Sequence, residues 1–213
     1  MDKKLIRRRR QTTPFRMRLK APLSIKPEQT PGFRPGKAEG LIFVTGGCRS
    51  GKSQFALDYA NDHFPKKLYL ATCEALDEEM AKRIENHKKR RGADWQTVEE
   101  PIKIAEAIRQ HQNDIDVILL DCITLWLSNL LMRQKSNHEI MNEVTGLIDT
   151  VTQGQTSSIL VSNEVGMGIV PIEPLGRRFR DLSGIANQKL AEAAQTVIFM
   201  VSGIPMILKG KQL

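Results

Sequence analysis

The chain is 213 residues long and carries 32 Lys+Arg against 24 Asp+Glu, a formal charge of +8; at roughly 100–200 residues per domain it holds one well-cored domain, or one domain and a tail, but not two. With 40% hydrophobic and 26% charged residues the composition is that of a globular protein, and no run approaches the ~20 apolar residues of a membrane helix. Cys48, Cys73 and Cys122 lie far apart and form no CxxC pair, which argues against a zinc ribbon or a disulfide framework and makes a reducing cytoplasm the expected setting.

The charge is unevenly placed. Residues 1–40 hold 12 Lys+Arg and 3 Asp+Glu, whereas the remaining 173 hold 20 and 21, so the whole excess belongs to the first segment. That segment contains Lys3-Lys4, the run Arg7 to Arg10 and five prolines (Pro14, Pro22, Pro27, Pro31, Pro35) without apolar periodicity, the composition of a self-repelling, disordered extension. A solvated leader is preferred over an anion-binding arm for nucleic acid or membrane and over a targeting peptide; a secretory signal fits badly because no apolar h-region is present. The folded domain is assigned to residues 41–213.

From Leu41 the texture changes. Leu41-Ile42-Phe43-Val44-Thr45 is a short apolar, β-rich run stopped by Gly46-Gly47. Similar runs follow at 67–72, 117–121, 158–162 and 196–201, each continuous rather than alternating, as expected of strands buried on both faces of a parallel sheet. Between them the pattern predicts helices over 53–61, 77–90, 101–112, 125–133, 139–150 and 176–195. Buried strands alternating with helices predict an α/β fold, a mostly parallel sheet flanked by helices, and the glycine–lysine motif at residues 46–53 makes it one of the P-loop NTPase type.

Between the first strand and the first helix, Gly46-Gly47-Cys48-Arg49-Ser50-Gly51-Lys52-Ser53 matches G-x-x-x-x-G-K-[ST]. Glycines let the backbone curl so that successive N–H groups meet phosphate oxygens, and the following helix adds its positive N-terminal end. Lys52 is placed to reach the β- and γ-phosphates and the Ser53 hydroxyl to coordinate Mg²⁺. Such a loop needs a carboxylate at another strand end to hold the metal, and Asp121 closes the run Val117-Ile118-Leu119-Leu120; a cap or turn role is the plainer alternative for that residue.

Residues 77–91 open with acids and end with bases, the order a helix dipole favours. Met80, Ile84 and His87 fall at i, i+4, i+7 on one face. The neighbouring Lys88, Lys89, Arg90 and Arg91 favour the neutral, nucleophilic imidazole at His87 and also attract phosphate.

Taken together, Val44-Thr45-Gly46-Gly47-x-Arg49-Ser50-Gly51-Lys52-Ser53, Tyr69-Leu70-Ala71-Thr72, Asp77-x-Glu79-Met80-x-x-Arg83-Ile84-x-x-His87, Trp95-x-Thr97-x-Glu99, Asp121-Cys122-x-Thr124 and Asn163-Glu164-Val165-Gly166-Met167-Gly168 resemble the bifunctional adenosylcobinamide kinase / adenosylcobinamide-phosphate guanylyltransferase family of cobalamin biosynthesis. The resemblance spans residues 41–208. It implies a kinase step, in which ATP or GTP gives its γ-phosphoryl to the aminopropanol hydroxyl of adenosylcobinamide with Mg²⁺ at the P-loop. It also implies a transferase step, in which a histidine takes GMP from GTP, releases pyrophosphate and passes GMP to adenosylcobinamide phosphate.

His87 stands at the family's histidine position. Some relatives have two adjacent histidines where this chain has Asn86-His87, so one nucleophile is available. The resemblance places Thr72, Cys73, Glu74, the stretch Lys89, Arg90, Arg91, Gly92, and Glu99 around the guanine nucleotide, and it implies a homotrimer with active sites between subunits. Cys48 replaces the small residue usual inside the loop. The 163–168 loop is assigned to substrate contacts, with Arg177, Arg178 and Arg180 steering an anionic substrate. Two other functions compete: a P-loop kinase of another small alcohol without a histidine intermediate, and a nucleotide-switched nucleic-acid binder using the basic tail. Nucleic acid is the less favoured partner, because the body itself carries no positive excess.

Overall fold

The computed structural model describes residues 40–74 and 94–210. The basic extension, the helix predicted over 77–90 with its His87, and the stretch Lys89, Arg90, Arg91, Gly92 lie outside the described residues.

The body is one seven-stranded sheet. β1 (Leu41–Gly46), β2 (Lys67–Ala71), β3 (Trp95–Glu99), β4 (Val117–Asp121), β5 (Ser157–Val161), β6 (Thr196–Val201) and β7 (Ile204–Lys209) lie in the order β3-β2-β4-β5-β1-β6-β7. All neighbours are parallel except β6 and β7, so the carboxyl ends of six strands share one edge. The helices are α1 (Lys52–His63), α2 (Ile104–His111), α3 (Ile123–Met132), α4 (Asn137–Gln153) and α5 (Pro174–Ala193).

Alternation along β1 divides the core. Leu41 and Phe43 join the cluster built with α2, α3, α4 and α5, while Ile42 and Val44 join the cluster under α1. Both faces are therefore dry, and the predicted continuous apolar runs follow from that. Burial of each such side chain contributes about 1.5–3 kcal/mol. Helix α4 starts at a capping box: Glu139 N–H donates to the Ser136 hydroxyl at 3.2 Å and Ser136 N–H donates to the Glu139 carboxylate at 2.8 Å.

Two strands were not among the predicted runs. β3 is an edge strand with Trp95 buried but Gln96, Thr97 and Glu99 exposed, so it carries no continuous apolar signal. β7 returns after the two-residue turn Ser202-Gly203, whose φ values of 51° and 86° have the positive sign that a type I′ hairpin requires at both centres. The helix predicted from residue 101 starts at Ile104 instead, because the Glu100 carboxylate takes the N–H groups of Ile102 and Lys103, both at 2.8 Å, in a turn.

Candidate active site at the carboxyl edge of the sheet

The predicted phosphate loop runs from the end of β1 into α1, and its backbone is braced on two sides. Gly46 has φ +149°, and a Cβ there would stand 2.4 Å from the Met200 carbonyl oxygen on β6, so only glycine fits. Gly203 N–H, in the β6–β7 turn, donates to the Ser50 carbonyl at 2.9 Å, and Glu164 N–H donates to the Gly46 carbonyl at 2.9 Å. Arg49 and Gly51 have left-handed φ values of 55° and 95° around the buried Ser50.

Helix α1 begins at Gly51 with no side-chain cap and no acid in its first turn. Its N-terminal N–H groups and the positive end of its dipole are thus available to an anion. Lys52 is buried and donates from Nζ to the Gly47 carbonyl at 2.7 Å. Burial holds its pKa below the ordinary lysine range, opposed by the nearby Cys122, Asp121 and Cys48. Ser53 is half-buried beside it, while Gly47 is half-buried and Cys48 is exposed.

Asp121 ends β4, two strands from β1, or about 10 Å at the usual strand spacing. Its Oδ2 accepts from the Tyr69 phenol at 2.9 Å. The Asp121–Cys122 peptide bond is cis. Cys122 is buried, and burial pushes its thiol up to about 12. Thr72 is also buried, with its hydroxyl committed to the Cys122 backbone, its N–H donating to the Asp121 carbonyl at 3.3 Å and its carbonyl accepting from Asn129 Nδ2 at 2.8 Å. This residue holds the edge together from beneath rather than presenting a side chain to solvent.

Cys73 and Glu74 follow on the β2 side, both half-buried, and Arg133 pairs with Glu74 at 3.0 Å. Glu99 lies exposed at the end of β3, in register with Ala71, about 19 Å from the β1 end by strand count. One edge therefore carries a phosphate zone over β1, an acid over β4 and a polar zone over β2 and β3.

The loop after β5 is held by a buried polar chain. Asn163 N–H donates to Thr124 Oγ1 at 2.7 Å, Ser162 Oγ donates to Asn187 Oδ1 at 2.7 Å, and Asn187 Nδ2 donates to the Asn163 carbonyl at 3.2 Å. Arg180 donates to the Gly166 carbonyl, Arg177 to the Ile172 carbonyl, and Arg178 to Asn137 Oδ1 and the Lys135 carbonyl. These arginines are fastened to backbone and loop. Tyr69 stands in one of the family-like series, yet the sequence assigns no role to it, to Gly203, to Ser162 or to Asn187; only the Ser-Gly pair at 202–203 is a readable turn mark.

Ser53 and Asp121 offer a hydroxyl and a carboxylate, hard oxygen donors that suit Mg²⁺. Among the described residues no group of three or more His, Cys, Asp or Glu forms a metal site by itself. The pair therefore fits a cation whose other ligands are phosphate oxygens and water.

A parallel sheet with a glycine loop, a capless helix start, a buried lysine and an acid two strands away defines a P-loop nucleotide-binding protein. Residues 42–208 match the family model described as cobinamide kinase / cobinamide phosphate guanyltransferase, CobU. The chain belongs to that family and is accordingly a kinase and guanylyltransferase. It is 41% identical to the bifunctional adenosylcobalamin biosynthesis protein CobP of Pseudomonas aeruginosa, over 80% of this chain and 98% of that one. It is also 41% identical to the bifunctional adenosylcobalamin biosynthesis protein CobU of Escherichia coli, over 79% and 99%. Among solved structures, the flagellar accessory protein FlaH of Methanocaldococcus jannaschii is similar with a TM-score of 0.47 at 15% identity, over 81% of this chain and 79% of that one.

Proposed function

We propose that this chain phosphorylates adenosylcobinamide and then converts the phosphate to adenosylcobinamide-GDP, using one carboxyl edge for both nucleotides. The observation that carries the kinase reading is the buried Lys52 at the capless start of α1. In the kinase step the loop from Gly46 to Ser53 holds the nucleotide phosphates through backbone N–H groups. Lys52 reaches the β- and γ-phosphates of ATP or GTP and stabilises the charge on the transferred group. The acceptor hydroxyl oxygen forms the new P–O bond as the γ-phosphorus–oxygen bond to the nucleoside diphosphate breaks, and the hydroxyl proton passes to solvent. The Ser53 hydroxyl and the Asp121 carboxylate would hold Mg²⁺, which would supply neutralisation of phosphate charge.

In the transferase step an imidazole nitrogen of His87 attacks the α-phosphorus of GTP, forming a P–N bond as the P–O bond to pyrophosphate breaks. A phosphate oxygen of adenosylcobinamide phosphate then attacks the same phosphorus, and the imidazole leaves. Lys89, Arg90, Arg91 and Gly92 serve the phosphates, and Glu99, Glu74 and Cys73 serve the guanine side, where a carboxylate accepts from N1–H and the exocyclic amine. Thr72 acts through the backbone it holds.

We read the assembly as a cytoplasmic homotrimer. Exposed Ile204, Met206 and Leu208 on β7 and Met167, Ile169 and Ile172 in the loop before α5 support self-association, and no described helix is long and apolar enough to cross a membrane.

The test is a product assay on the full chain with adenosylcobinamide, ATP and GTP. Lys52→Ala lowers phosphate formation about a hundred- to thousand-fold, and His87→Ala stops at the phosphate. Formation of the GDP product by His87→Ala contradicts the reading.

A further inference from the structure

Tyr69 lies on β2, 4% exposed, with its ring edge-on to Trp95 at a centroid distance of 6.2 Å. In the β2–β4 register it stands opposite Leu119. Asp121 is two residues further along β4 and so projects from the same face, the face covered by α1, where the neighbouring Leu119 packs with Phe55, Ala56 and Tyr59. The phenol reaches diagonally forward to Asp121 Oδ2 at 2.9 Å. A buried tyrosine hydroxyl needs a partner, and a backbone carbonyl would serve that need equally well. Here the hydroxyl donates instead to a half-buried acid that ends β4, two strands from the phosphate loop.

We infer that Tyr69 is a positioning residue: by holding Oδ2 it fixes the plane of the Asp121 carboxylate and leaves Oδ1 to serve the Mg²⁺–phosphate site. This rests on the reading of Asp121 as the metal-side carboxylate. A hydrogen-bond partner of a ligating group commonly sets its metal affinity by 10–100-fold. Tyr69 therefore acts on the cation dependence of nucleotide binding, not on nucleotide contacts.

The experiment measures binding of a fluorescent GTP analogue to the full chain across Mg²⁺ concentrations, for the wild type, Tyr69→Phe, Asp121→Asn and the double variant, with thermal unfolding alongside. Phe keeps the ring and its packing. The expected result is that Tyr69→Phe raises the half-saturating Mg²⁺ concentration about 10-fold, that Asp121→Asn raises it at least as far, and that the double variant is no worse than Asp121→Asn alone, because the two act as one unit. Trp95→Phe disturbs the same aromatic contact but keeps the hydroxyl; it lowers the melting temperature and leaves the Mg²⁺ midpoint in place.

If Asp121→Asn shifts the midpoint while Tyr69→Phe does not, or if the two shifts add in full, the positioning role is overturned and the metal assignment stands. An equal shift from Trp95→Phe overturns it as well, since packing alone would then account for the effect. If Asp121→Asn leaves the midpoint unmoved, the metal assignment falls first and the role of Tyr69 with it.

Discussion

Thr72 grips Cys122 at both ends of its backbone: the Thr72 hydroxyl donates to the Cys122 carbonyl at 2.8 Å and accepts from the Cys122 N–H at 2.9 Å. The residue held this way directly follows Asp121, so a side chain just past the end of β2 fixes where the β4 acid ends up. Thr72→Val keeps the shape and removes both bonds, leaving the buried Cys122 N–H unpaired while the Cys122 carbonyl keeps the Trp126 N–H at 3.2 Å. The expected cost is about 1–3 kcal/mol, read by urea denaturation, with Thr72→Ser retaining most of the stability. A Val variant as stable as the wild type would show the grip to be dispensable.

Lys52 carries the opposite trade. Burial depresses its pKa below the ordinary 10.5, so the unfolded chain holds this proton more readily than the fold does. The resulting cost is fully present below the folded pKa and is relieved as pH rises through that value toward 10.5. Lys52→Met is therefore expected to raise the melting temperature of the nucleotide-free protein at pH 7, with a gain that shrinks on raising the pH toward 10, while nucleotide binding is lost. Melting curves across that range check the sign; a Met variant that melts lower at pH 7 contradicts it.

The loop glycines separate by the space around them. At Gly46 a Cβ meets the Met200 carbonyl oxygen, whereas at Gly47 nothing lies within 4 Å. Gly46→Ala is expected to destabilise by more than about 1 kcal/mol and to abolish nucleotide binding, and Gly47→Ala to melt within a degree or two of wild type. Calorimetry on the two variants compares them directly.

How much of this was readable in the sequence depended on where each residue looks for its partner. The glycine loop with Lys52 and Ser53, and Asp121 closing an apolar run, are local patterns in contiguous residues, and the parallel fold follows from strands dry on both faces. β3 escaped because an edge strand with Gln96, Thr97 and Glu99 exposed looks like a loop. β7 carries Pro205 and an exposed apolar row, and only the Ser202-Gly203 turn marks it. The ties from Thr72 to Cys122, Tyr69 to Asp121 and Gly203 to Ser50 join residues 50 or more positions apart. Such pairs exist only once the sheet order is known.

Cys48 and Cys122 should differ sharply toward alkylation. Cys48 is exposed inside the phosphate loop, and Cys122 is buried with its thiol pushed up to about 12, a group that stays protonated and inert at neutral pH. N-ethylmaleimide is expected to label Cys48 first in the native protein, to lower nucleotide affinity as it does so, and to be slowed by GTP with Mg²⁺. Peptide mass mapping locates the label; native labelling at Cys122 ahead of Cys48 would contradict the assignment.

The most direct test of two chemistries on one chain uses GTP labelled at the α-phosphorus. The full chain is incubated with this nucleotide and Mg²⁺, denatured, and examined for protein-bound label. The account predicts a label that is stable to base and released by acid, as a P–N bond requires, that is absent from His87→Ala, and that is chased into product by adenosylcobinamide phosphate, while His87→Ala still phosphorylates adenosylcobinamide. An unlabelled wild-type protein that nevertheless makes the GDP product, or a label that persists in His87→Ala, would contradict it.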